Sequence, residues 1–196
     1  MNYADTKAAL EERRARIQAI REEMRDIQKT VEPQPIDDYV LSGWDGPVRL
    51  SDLFGDRRDL ILIHNMGREC TSCTMWADGF NGVYDHLASR AAFVVSSPNT
   101  VEVQQAFAAS RGWRFPMVSH AGTTFAADLG YYHPGTGEPG HGGWQPGVSA
   151  LRRDGGRILR LSDTELGPLD DFCVYYHLME MIPGGDANFR PKLKYG

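Results

Sequence analysis

Cys70 and Cys73 stand two residues apart in "NMGRECTSCTMWADGF", residues 65–80, and are two of three cysteines in the chain. Three chemistries suit such a pair. It is a dithiol that cycles through a disulfide, half of a zinc site, or two small residues at the edge of a core. Exchange needs one sulfur that reacts as a thiolate and a second within disulfide reach. The free amides and dipole at a helix N-terminus favour negative charge, and such positions lower a thiol pKa from ~8.5 to roughly 3.5–7.5. Cys70 is then the attacking sulfur and Cys73 resolves the mixed disulfide. A zinc site would recruit two more ligands, with His64 and His141 as candidates. Structural zinc usually has a second closely spaced ligand pair, and the sequence shows none. His64 near a strand end reads first as a packed residue, and His133 and His141 as loop residues that could carry protons. Cys173, between Phe172 and Val174, reads as a core cysteine.

These roles depend on the elements around the pair. "DLILIHNM" (59–66) is apolar at nearly every position, the pattern of a central strand covered on both faces. "HNMGRE" then delivers the chain to a predicted helix from Cys70 to about Ser89, with Trp76, Phe80, Tyr84 and Leu87 on its packing face and Gly79 and Gly82 weakening it. "AAFVVSS" (91–97) is a second central strand, and "VEVQQAFAASRG" a helix closed by Gly112. This is a βαβ unit, hence a parallel pair. Upstream, "YVLSG" and "PVRLSDLF" read as a strand pair entering a helical turn. Downstream, "WRFPMVSH" holds a short extended piece and the Gly-rich stretch 135–147 is a loop. "VSALRRDGGRILRLS" is a hairpin around Asp154-Gly155-Gly156. A helix over 170–182 ends the pattern.

The first thirty residues form a separate unit. They are rich in helix formers, with Ile17, Ile20, Met24, Ile27 and Val31 in one narrow stripe. The stripe packs at home or pairs with a second copy, a possible homodimer through a short seam. Pro33 and Pro35 end the helix, so the predicted division is a helical arm (1–32) and an α/β domain (33–196).

Composition narrows the function classes. A chain of 196 residues with a formal charge of −5 and no basic stripe is not built for nucleic acid. Nothing in it approaches a membrane span, and the charged start "MNYADTKAALEERR" is unlike a signal peptide. The expected location is the cytoplasm. Three cysteines make no disulfide framework, and in a reducing compartment a C-x-x-C is more often catalytic or metal-binding.

The order β-α-β-α-β-β-α with the cysteine pair at the first strand-to-helix junction resembles the thioredoxin-like superfamily, over residues 38 to 182. "CTSCTMWADGFNG", "GWRFPMVS", "PGVSALRRDGGRI" and the closing "PKLKYG" resemble an uncharacterised bacterial family of predicted dithiol–disulfide oxidoreductases on the peroxiredoxin-related branch. The resemblance implies a central mixed sheet flanked by helices, no cofactor, and a protein or small-molecule disulfide or thiol as partner. It also implies a cis proline facing the pair at Pro146, whose turn would leave the backbone beside Gln145 free to receive an extended substrate. Trp144 would line the groove. Three features depart from the pattern. Glu69 replaces the usual aromatic residue before the first cysteine, Thr71-Ser72 replaces Gly-Pro, and the peroxiredoxin Pro-Thr-Cys signature is absent. Glu69 opposes a thiolate and Arg68 favours one. A binding module of the same fold that keeps the pair without turnover is the non-enzymatic alternative.

Overall fold

The computed structural model describes residues 1–135, 142–168, 170–185 and 189–196. It divides into two units, Met1–Pro33 and Gln34–Gly196. The first is helix α1 (Tyr3–Lys29), which Asn2 caps by accepting from the amide of Asp5. None of its residues is buried.

The second unit is built on one eight-stranded sheet with order β1-β8-β7-β4-β5-β6-β2-β3. Its strands are β1 (Gln34–Ile36), β2 (Val40–Gly43), β3 (Gly46–Arg49), β4 (Asp59–His64), β5 (Ala92–Ser97), β6 (Met117–Ser119), β7 (Gly147–Asp154) and β8 (Arg157–Glu165). β4, β5 and β6 run parallel, while β7 is antiparallel to β4 and to β8. Side chains alternate along β4, and each set enters a different core. Leu60 and Leu62 join Phe54, Val94, Phe125 and Leu151 on one face. Ile63 joins Trp76, Phe80, Phe93, Phe115 and Met117 on the other. Both faces are covered, which is why the strand reads as a continuous apolar run.

The hairpin forms as expected. Gly155 and Gly156 both have positive φ (55° and 83°), the backbone of a two-residue turn that matches strand twist. The helix expected over 70–89 is instead two, α2 (Thr71–Gly82) and α3 (Tyr84–Arg90), divided at Val83. α4 (Val101–Arg111) ends at Gly112 in the left-handed region, as predicted. A short α5 (Phe125–Asp128) was not legible in the sequence. The final helix, α6 (Val174–Met179), is shorter than the expected 170–182. The carboxylate of Asp170 accepts from the amides of Gly167, Phe172 and Cys173, which holds those residues in a turn ahead of the helix. The edge strand β1 contains Pro35, tolerated because an edge needs fewer donors.

Gly147 opens β7 under the ring of Tyr131. A Cβ there would lie 2.0 Å from Tyr131 Cε1 and 2.9 Å from the carbonyl oxygen of Thr164. Gly147→Ala is therefore expected to destabilise the domain by about 3 kcal/mol. Urea unfolding checks this, and pairing the change with Tyr131→Leu should recover part of the loss.

Candidate functional site

The site begins at the end of β4. Asn65 donates its amide to the carbonyl of Ser96 on β5, and its side chain accepts from the amide of Gly67. The Asn99 side-chain oxygen accepts from the amide of Arg68. Two asparagines thus pin a five-residue connection. Cys70 follows as the N-cap of α2, with extended backbone. Its sulfur accepts from the amide of Cys73 at 3.0 Å, and its carbonyl accepts from the amide and hydroxyl of Thr74. Cys70 and Cys73 form a disulfide, with Cα atoms 5.3 Å apart.

This geometry points a free helix N-terminal amide at Cys70 and gives Cys73 no such donor among the described hydrogen bonds. The charges that precede the pair offset one another, because Arg68 and Glu69 form an exposed ion pair of 2.8 Å. The Cys73 amide is the donor the structure aims at the Cys70 sulfur. Burial does not separate the two cysteines, since Cys70 is 2% and Cys73 3% exposed. The two are equally covered, although a resolving cysteine one turn inside the helix would be expected to be the more buried of the pair.

Pro146 corrects a second expectation. The described residues contain no cis peptide bond, so the Gln145–Pro146 bond is trans. Nor is the backbone beside Gln145 left free. Its amide donates to the carbonyl of Tyr131, and the carbonyl of Pro146 accepts from the amide of Leu166. The turn that positions β7 is set by pairing with residues 131–133, and a trans bond satisfies it. Pro146 does occupy the expected place in the topology, one residue before the Gly147–His64 pair of β7 and β4. Trp144 lines a cleft of about 210 Å³ with Met66, Gly67, Arg68, Glu69, Pro98, Asn99 and Gly142. That cleft borders the connection into Cys70. A larger apolar groove of about 770 Å³ runs along α2, lined by Met75, Trp76, Phe80, Leu87, Phe172 and Cys173 among others. Neither sulfur lines either space.

The structure gives the histidines different places. His64 is buried on the Leu60–Leu62 face. Its Nε2 lies 2.9 Å from Ser149 Oγ, and its ring stacks on Tyr131 at 3.7 Å. Burial first, then His120 and Arg160, holds its pKa well below the usual histidine range. His120, just beyond β6, was not singled out in the sequence. It is 3% exposed and lies against Trp144 (4.9 Å) and Phe125 (6.2 Å). Both its ring nitrogens, and Nδ1 of His64, lack a hydrogen-bond partner among the described residues. Burial pushes the His120 pKa down to about 4. No group of three or more His, Cys, Asp or Glu among the described residues could hold a metal ion. His141 lies outside the described residues. Cys173 is a free buried thiol whose pKa is raised, chiefly by burial. No described helix is long and apolar enough to cross a membrane.

Solved structures share this architecture. Peroxidoxin BcpB of Mycobacterium tuberculosis is 23% identical with a TM-score of 0.58, over 81% of this chain and 97% of that one. A yeast mitochondrial 1-Cys peroxiredoxin gives 12% and 0.58, over 83% and 84%. The bacterioferritin comigratory protein of Xanthomonas campestris gives 15% and 0.54, over 71% and 86%. At these identities the likeness establishes the thioredoxin-like, peroxiredoxin-related fold. No match was found among curated proteins. In sequence, the family model described as bacterial protein of unknown function (DUF899) matches residues 4–194, and the chain belongs to that family.

Proposed function

We propose that the chain is a thiol–disulfide oxidoreductase in which Cys70 attacks and Cys73 resolves. The observation that carries this is the Cys73 amide donating to the Cys70 sulfur at the start of α2. In the reduced protein the same amide favours the Cys70 thiolate over the thiol, because a hydrogen bond to the charged form stabilises it. The thiolate attacks one sulfur of a disulfide and expels the other as a thiolate, which takes a proton from solvent. The Cys73 thiol then loses its proton and attacks the Cys70 sulfur, which closes the Cys70–Cys73 disulfide and expels the second thiol. The protein gives up two electrons and the substrate gains two. The direction in the cell depends on the potential of the couple, and related dithiols span about −270 to −120 mV.

The test is equilibration of the full chain in glutathione redox buffers, with thiols trapped by acid and alkylated. A single defined two-electron potential within that span, absent in Cys70→Ser, is the expected result. A pair that stays oxidised or reduced throughout the buffer series indicates a non-catalytic module, and stoichiometric zinc in the purified protein indicates a metal site.

A further inference from the structure

We infer that α1 is a dimerisation arm, and that it pairs antiparallel with α1 of a second copy. The helix is 27 residues long, about 40 Å at ~1.5 Å per residue. It is a unit of its own and buries none of its residues. A helix in water owes most of its stability to the packing of an apolar face, so this one needs a partner. The face is a seven-residue repeat. Tyr3, Leu10, Ile17 and Met24 stand at one position of it, with Val31 just past the helix end. Thr6, Arg13, Ile20 and Ile27 stand at the other. The apolar members are 41–84% exposed. A straight helix drifts by ~20° per heptad from such a repeat, so the seam stays in contact only with a second helix coiled around it.

Charge selects the partner and its direction. The side chains of residues 1–33 include seven acids and seven bases. The arm therefore has no net attraction to an anionic membrane, and the seam has no Trp or Phe to enter one. The outer faces of the helix carry the ion pairs Glu22–Arg25 and Asp26–Lys29. In a parallel pair Arg13 would face Arg13 of the second copy within the seam, and Arg16 would meet Arg21 beside it, both repulsive contacts. Reversing the second helix, with Ile17 opposite Ile20, sets Leu10 against Ile27 and the apolar stem of Arg13 against Met24. It also brings Arg16 beside Glu23, and two-fold symmetry makes that pair twice. Arg14 and Arg21 then meet on the opposite flank, where solvent and salt screen them.

The experiment is sedimentation equilibrium of the full chain over a wide range of concentration, with a monomer–dimer equilibrium as the expected result. Ile17→Asp combined with Ile20→Asp should give a monomer whose α/β domain unfolds in urea as before. Arg16→Glu and Glu23→Arg should each raise the dimer dissociation constant ~10-fold, because each turns two attractive surface pairs repulsive. Combined, the two changes should restore the native value. A full chain that stays monomeric at every concentration overturns the inference. So does a dimer that survives the double aspartate change, which would place the contact on another surface. Tighter association of Arg16→Glu would indicate parallel pairing through Arg21 and overturn the antiparallel arrangement. Co-sedimentation of the native chain with phosphatidylglycerol vesicles, lost in the double aspartate variant, would assign the stripe to a lipid surface instead.

Discussion

Replacing Cys73 by serine is expected to leave the reduced protein holding a thiol substrate as a long-lived mixed disulfide on Cys70, whereas the Cys70→Ser protein forms no such adduct. The asymmetry comes from α2. Cys70 is its N-cap, and the amide of Cys73 lies 3.0 Å from the Cys70 sulfur. That donor is a main-chain group, so it survives the Cys73→Ser change and continues to stabilise the attacking thiolate. What the variant loses is an intramolecular resolving thiol, and the effective molarity of a well-placed group reaches ~10⁵ M or more. The adduct should therefore persist at least ~10³-fold longer than in the unmodified protein. Mass spectrometry after mixing with a small disulfide checks this. Alkylation of the reduced native protein at mildly acidic pH is the companion measurement, with Cys70 modified first. Exposure does not decide the order, because the two residues are equally buried. Cys173 is expected to react later, since burial raises its pKa. First modification of Cys73 or Cys173 would reverse the assignment.

The parts of this site that were legible in the sequence are those set by local pattern. The apolar run of β4 identified a strand covered on both faces, and the cysteine spacing at a strand-to-helix junction located the N-terminus of α2. Gly112 and the Asp154-Gly155-Gly156 group marked their turns because their backbone requirements are local. What was not legible depends on partners far away in the chain. A proline fixes φ but leaves its own peptide bond trans or cis. At Pro146 the outcome follows the pairing of residues 143–145 with 131–133, a stretch with no periodicity to read. The pinning of Arg68 by Asn99 spans 31 residues. Arg68 and Glu69 pair with each other, which two adjacent letters do not reveal. His120 was missed for the same reason: "VSHAG" is an ordinary strand exit until the sheet order sets β6 one strand from β4.

That buried histidine pair carries the last prediction, a steep loss of stability in mild acid. His64 and His120 are held neutral in the folded protein, with pKa values well below the usual range and about 4 respectively. Both shifts come mainly from burial, with His120 and Arg160 adding to the effect at His64. In the unfolded chain both titrate near the ordinary value of ~6.5. The unfolded state therefore binds more protons than the folded one once the pH falls below ~6.5, and stability falls with pH there. The contribution is fully present above that pH. It is lost progressively as the pH drops toward 4 for His120, and to lower values for His64. Each histidine contributes a slope of up to about 1.4 kcal/mol per pH unit. For His120 alone the loss between pH 6.5 and 4 is roughly 3 kcal/mol, a large share of the ~5–15 kcal/mol that holds a domain folded. Urea unfolding between pH 7.5 and 4.5 should show this decline, and His120→Leu should flatten it by about one proton. At neutral pH the same substitution should cost little or stabilise slightly, because it removes two ring nitrogens that have no partner among the described residues. An unchanged acid slope in His120→Leu would show that this ring titrates alike in the folded and unfolded chains. A loss of several kcal/mol at neutral pH would show that its nitrogens are bonded in solution.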